Sequence, residues 1–280
     1  MKYYVSYEKH HSEDTKGNSV FLRLFILKYI NTAVIFFING NNTVMNSIFG
    51  NAIVSSDNFS TTWFNTIGVT IILVQLSDAF FTHSAKLWEY FNYRYTLDKY
   101  LKTTAGEKKV LTQNELNKMH EGPDCELSYT YAQIMSTLFV CLTFSTGIPV
   151  LYCIVAANFF MYYLVEKFLF INMYKAPPHF NSFIGRRATT MIPYAVMLHL
   201  AMSIWALSNN EIFNNDNSST STAAVVKSTV PQFSNSVKDK MFGANTFPLL
   251  VFLCTIALYE IMRLIFTSSL CIKETVLLIY

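Results

Sequence analysis

The chain has 280 residues, 52% of them hydrophobic, 16% aromatic and only 14% charged. A soluble domain carries about 25% charged residues, so this composition excludes an ordinary water-soluble globule and points to a polytopic membrane protein. The net charge of +3 leaves no basic footprint for nucleic acid that a cytosolic membrane flank does not already explain.

Residues 1–19 read as a polar, mildly basic cytosolic tail with no cleavable leader, so the first apolar run is expected to act as its own insertion signal. That run, span 1, covers 21–38. Lys28 and Asn31 lie three apart on it, close together on one helix face. Asn-Gly-Asn-Asn at 39–42 ends it as a loop. The segment to Ser60 carries no Lys or Arg and holds two glycosylation sequons, at Asn41 and Asn58.

Span 2 is expected over 63–81, with Gln75 and Asp78 near its far end. The stretch 83–130 is the most basic of the chain, with seven Lys and Arg. Trp88 to Phe91, followed by Arg94 and Lys99, suggests an amphipathic helix lying at the membrane surface.

From Tyr131 to Val165 there is no charged residue over 35 positions, too long for one span of ~17–25 residues. Ser145-Thr146-Gly147-Ile148-Pro149 supplies the break, because Gly weakens a helix and Pro149 favours an extended Ile148. Spans 3 and 4 are therefore a hairpin over 131–147 and 149–166, with Gln133 and Thr137 on its first arm and Asn158 on its second. Asp124 and Glu126 precede the hairpin, and Glu166 and Lys167 follow it, so both charged ends should share one compartment.

Pro177-Pro178 and the following Arg186 and Arg187 mark a second basic flank. Span 5 covers 188–207, with Pro193 and His199 inside. The polar loop 208–244 holds a third sequon, at Asn217. Span 6 covers 246–265, and 268–280 is a C-terminal tail. Glu260 and Arg263, three apart, are expected to pair with each other, His199 to be a packing histidine rather than a proton relay, and Asn158 a helix–helix contact.

Segments 83–130 and 168–187 carry seven and three Lys and Arg, against none at 40–60 and three at 208–244. The positive-inside rule places the first two in the cytosol, and all three sequons then fall outside. The fold class is an all-α membrane bundle of about six transmembrane helices, with the hairpin at 131–166, in the plasma membrane or an intracellular membrane.

The five cysteines, Cys125, Cys141, Cys153, Cys254 and Cys271, are odd in number and irregular in spacing, which argues against a disulfide framework or a metal site. No enzyme motif is present, and neither a cofactor nor a metal is expected.

Ionisable groups inside a bilayer cost about 2.5–3.5 kcal/mol on insertion scales. Lys28, Asn31, Gln75, Asp78, Gln133 and Thr137 therefore need a reason. One reading is a hydrophilic seam lining a pore; the other is interhelical hydrogen bonding, with Lys28 and Asp78 snorkelling to the edge.

The turn Phe144 to Pro149, the exit Leu164-Val165-Glu166-Lys167-Phe168 and the run FLRLFILKYINTAVIFFING together resemble the anoctamin superfamily. Tyr174-Lys175-Ala176-Pro177-Pro178 is similar to its osmosensitive, stress-gated cation channels. The resemblance covers 21–266 and maps the six spans onto the family's fifth to tenth helices. It implies inorganic cations as permeants, with lipid scrambling as a relative of that activity, and a homodimer or other membrane subunits as partners beside the lipid bilayer. The alternative is a non-conducting structural subunit of a membrane complex. Where the calcium-gated members place carboxylates, this chain has Ser128, Tyr131, Phe160 and Leu164, so a calcium switch of that kind is not implied. The family's earlier helices and large cytosolic domain have no counterpart here.

Overall fold

The computed structural model describes residues 13–39, 63–102, 112–175, 182–207 and 246–277. Those residues are helical apart from short connections. The elements are α1 (Glu13–Tyr29), a π-helical turn (Ile30–Val34), α2 (Ile35–Asn39), a second π-helical turn (Phe64–Gly68), α3 (Val69–Lys102), α4 (Gln113–Glu121), α5 (Leu127–Phe144), α6 (Val150–Asn172), α7 (Phe183–Leu207) and α8 (Phe247–Leu277). Five helical stretches are long and apolar enough to cross a membrane: Phe64–Tyr100, Leu127–Phe144, Val150–Asn172, Phe183–Leu207 and Phe247–Ile265. The protein is an all-helical membrane bundle. The expected first span is also helical, but the π turn divides it. The three sequons at Asn41, Asn58 and Asn217 lie outside the described residues.

The backbone reverses where the Gly and Pro predict. α5 stops at Phe144, and the amides of Gly147 and Ile148 both donate to the Phe144 carbonyl, at 3.1 and 3.0 Å. α6 begins at Val150. At the open end of the hairpin, the Thr130 hydroxyl of α5 donates to Glu166 of α6 at 3.2 Å. One residue comes from near the start of α5 and the other from near the end of α6, so the arms are antiparallel. The strands leading in and out are tied as well. The Lys175 amide donates to the Pro123 carbonyl at 3.3 Å, and the Lys175 ammonium pairs with Asp124 at 2.6 Å. That carboxylate holds the Lys175 pKa above its ordinary value.

The chain forms two compact units. The first contains 1–34, 69–141 and 150–189. Here α5 is the hub, because its part in this unit meets four helices. Phe139 takes the rings of Phe25 and Tyr29 of α1 edge-on, at 4.8 and 5.8 Å. Gln133 and Thr137 meet Asp78 of α3, Thr130 meets α6, and Tyr131 lies against Gly185 of α7. In lipid such contacts stabilise by close packing and hydrogen bonding, since burying an apolar side chain there gains little over leaving it in lipid tails.

α3 differs from the expected layout. It continues through the basic stretch as one helix of 34 residues, about 51 Å long at 1.5 Å per residue. The expected surface helix at 88–99 is the far end of this element. Its side chains pack along α6, where Leu87, Tyr90 and Tyr93 cover Val165, Leu169 and Met173. The Tyr90 ring meets Phe168 edge-on at 5.0 Å. No Gly or Pro interrupts 69–102, so nothing local stops the helix.

The second unit contains 35–68, 142–149 and 190–280. It builds around the hairpin turn. Trp63, buried to 1% exposure, lies with its ring 6.4 Å from that of Phe144, and Ile148 touches the face of Gly68. His199 Nδ1–H donates to the Leu142 carbonyl at 2.8 Å, and the Thr146 and Ser203 hydroxyls pair at 2.6 Å. α7 thus satisfies groups at the C-terminus of α5 that have no partner within that helix, and His199 is the packing histidine expected. On α8, Arg263 pairs with the buried Glu260 at 2.7 Å, also as expected.

Candidate functional site: a polar seam in the first unit

Polar side chains within an apolar bundle gather in one place. A cavity of about 110 Å³ is lined by Lys28, Thr32, Gln75, Asp78, Gln133, Ser136 and Thr137, with Val74 and Val140. Since water takes ≈ 30 Å³ in the liquid, the space accommodates a few water-sized groups.

Asp78 is its centre. The Gln133 amide nitrogen donates to both carboxylate oxygens, at 2.7 and 2.6 Å. The Thr137 hydroxyl donates at 3.3 Å, and Thr82, one turn along α3, at 3.2 Å. A carboxylate only accepts, so it fixes the Gln133 amide with nitrogen inward. That leaves Gln133 Oε1 buried with no partner, and Gln75 Oε1 is buried in the same way. Lys28 supplies the opposite charge, with its ammonium 4.7 Å from the centre of the Tyr129 ring, a cation–π contact.

Five of the six pore-lining residues expected from sequence, Lys28, Gln75, Asp78, Gln133 and Thr137, therefore line one cavity. Asn31 does not. It sits exposed in the π turn. In a regular α-helix Lys28 and Asn31 share a face, but the π turn spaces side chains more widely, and Thr32 takes the position beside Lys28. Interhelical hydrogen bonding is present too, and Asp78 is held within the bundle rather than snorkelling.

A second polar cluster lies further along α3, and the sequence reading missed it. His83 Nε2 is 2.9 Å from Asn158 Oδ1 in a buried contact, and the His83 ring meets Tyr162 edge-on with centroids 4.5 Å apart. Next along, Lys86 forms an ion pair with Glu166 and donates to Thr130 at 3.1 Å. Asn158 is a helix–helix contact, as expected; its partner His83 lies just past the expected end of span 2. The available signal was spacing, because Gln75, Asp78, Thr82 and Lys86 keep one helical face at intervals of three and four.

These features define an all-helical, multi-pass membrane protein with a polar seam inside one of its units. No protein-family model, curated protein or solved structure matches the chain.

Proposed function

We propose that this membrane protein is a transport protein, which passes inorganic cations along the seam at Asp78. In this reading it is a pore-region piece akin to the stress-gated cation channels of the anoctamin superfamily. The observation that carries the reading is the Asp78 cavity: a carboxylate, amide oxygens and hydroxyls around a few waters' worth of space, within helices whose outer faces are apolar. Oxygen groups of this kind replace part of a cation's hydration shell. The two buried amide oxygens without protein partners, on Gln75 and Gln133, are acceptors free for that purpose.

A structural role has its own supporting observation. Asp78 already receives hydrogen bonds from Gln133, Thr137 and Thr82, as a polar knot between helices would. In that case the chain is a non-conducting subunit of a larger membrane complex.

Reconstitution of the full chain in liposomes with a cation-sensitive dye separates the two. Transport predicts cation flux that falls in Gln75→Leu and Asp78→Asn, while Asn31→Leu retains it. No flux above empty liposomes, together with copurification of fixed partner subunits, establishes the structural role. A fluorescent-lipid quenching assay on the same liposomes tests lipid scrambling.

A further inference from the structure

We propose that the α3–α6 interface carries a proton path, with His83 as its storage site, running from the Lys86–Glu166 pair to Asp78. The proposal meets the transport reading at Asp78 but rests on different groups.

Four observations support it. First, polar side chains follow one another along this interface. Thr82 donates to Asp78 at 3.2 Å. The Tyr162 hydroxyl lies near Thr82 and is buried without a hydrogen-bond partner. The ring of His83 meets that of Tyr162, and the Lys86 ammonium lies 5.6 Å from the same Tyr162 ring centre. Second, His83 is 3% exposed and Asn158 1%, on helices apolar enough to span a membrane. Ionisable groups at such depth are costly, and chains of Asp, Glu and His mark proton relays in pumps and transporters.

Third, the hydrogen bond defines the tautomer. Asn158 Oδ1 only accepts, so Nε2 of neutral His83 carries the proton and donates it. Nδ1 is then a buried lone pair with no protein partner, and Asn158 Nδ2 is a buried donor with none. Two opposite orphans belonging to one hydrogen-bonded pair suit water, which gives and takes hydrogen bonds. Fourth, the packing of the ring against Tyr162 and its bond to Asn158 hold Nδ1 in place while its charge changes.

The step balances without any co-reactant. A proton reaching Nδ1 converts neutral imidazole to imidazolium, while Nε2–H stays bonded to Asn158. The same Nδ1–H then passes its proton, through water held between the unpartnered Nδ1 and Tyr162 hydroxyl and on through the Tyr162 and Thr82 hydroxyls, to the Asp78 carboxylate. Each hydroxyl gives one proton as it takes another. Imidazole is restored and Asp78 becomes a neutral acid. The charged and titratable groups on the two helices that meet at His83 are Asp78 and Lys86 on its own helix and Tyr162 and Glu166 on α6. α5 contributes Tyr129 and the neutral Thr130, Gln133 and Thr137.

The test uses the full chain in liposomes loaded with pyranine, with valinomycin and potassium holding the potential, and an inward acid step. The wild type should admit protons faster than empty liposomes. His83→Gln keeps an amide for Asn158 but cannot store a proton, and Tyr162→Phe keeps the ring and removes the hydroxyl. Proton influx should fall at least about tenfold in each variant that elutes and melts like the wild type. Unchanged influx in both, or no influx in the wild type, overturns the proposal. Proton influx without cation flux refutes the transport reading alone, and cation flux without proton influx refutes the proton path alone.

Discussion

Gly122 shows how one position can govern a junction. Its φ is +73°, and a Cβ there would lie 2.1 Å from the Met173 carbonyl oxygen. The chain turns here between α4 and the hairpin, at the point where Pro123 and Lys175 share a backbone hydrogen bond. A left-handed conformation costs a side-chain-bearing residue roughly 1–2 kcal/mol, and the collision with backbone adds to it. Gly122→Ala is therefore expected to destabilise by more than about 1–2 kcal/mol, read as a lower melting temperature in detergent. Gly17 offers a contrast: a Cβ there would meet only the Ser128 hydroxyl at 3.1 Å and a methyl of Ile184 at 3.3 Å, which are ends of side chains able to shift.

At the scale of elements, the pairing of α3 with α6 depends on charge as well as shape. Lys86 and Glu166 are 14% and 25% exposed, so each is costly to leave alone. Removing one partner of a fully buried pair destabilises by about 3–5 kcal/mol, and a part-buried pair such as this one by less, whereas replacing both with apolar groups is often neutral or stabilising. Lys86→Met and Glu166→Leu are each expected to lower the thermal stability, and the double variant to recover most of it. Additive losses in that double-mutant cycle would mean that the pair is not the source of the coupling. The same helices explain why the helix of span 2 runs past its expected end at 81. Lys86, Arg94 and Lys99 look like a solvated flank when counted, yet α3 turns Lys86 inward to Glu166. The π turn at Ile30–Val34 escaped for a related reason. The sequence offers no composition signal for one extra residue in a turn, and that residue decided between Asn31 and Thr32 at the cavity.

For the whole molecule, the expected sidedness puts the 83–130 and 168–187 segments in one aqueous compartment, and Cys125 tests it. Cys125 is half-buried, and burial first, then the Glu166 carboxylate, push its thiol pKa up, with Lys86 opposing. The thiol therefore stays protonated at neutral pH, and its reaction with maleimide should accelerate as pH rises beyond the ordinary thiol range. In a variant retaining Cys125 alone, a membrane-impermeant maleimide at alkaline pH should label from one side of oriented vesicles only, the side that also exposes a tag on the N-terminus. Labelling from the opposite side would reverse the arrangement inferred from the Lys and Arg count.

The helical class, the apolar spans and the reversal at Gly147 and Pro149 were legible in the amino-acid order, because each depends on local chemistry: run length, helix breakers and the cost of charge in lipid. The pairing of Glu260 with Arg263 was legible for the same reason, three residues apart on one helix. Only the tertiary structure could bring Lys28, Asp78 and Gln133 to one cavity, or set His83 against Asn158, 75 residues away. Those meetings depend on which face each helix turns to its neighbours. That choice is made by packing along α5 and α6, where buried polar groups must find partners on other helices.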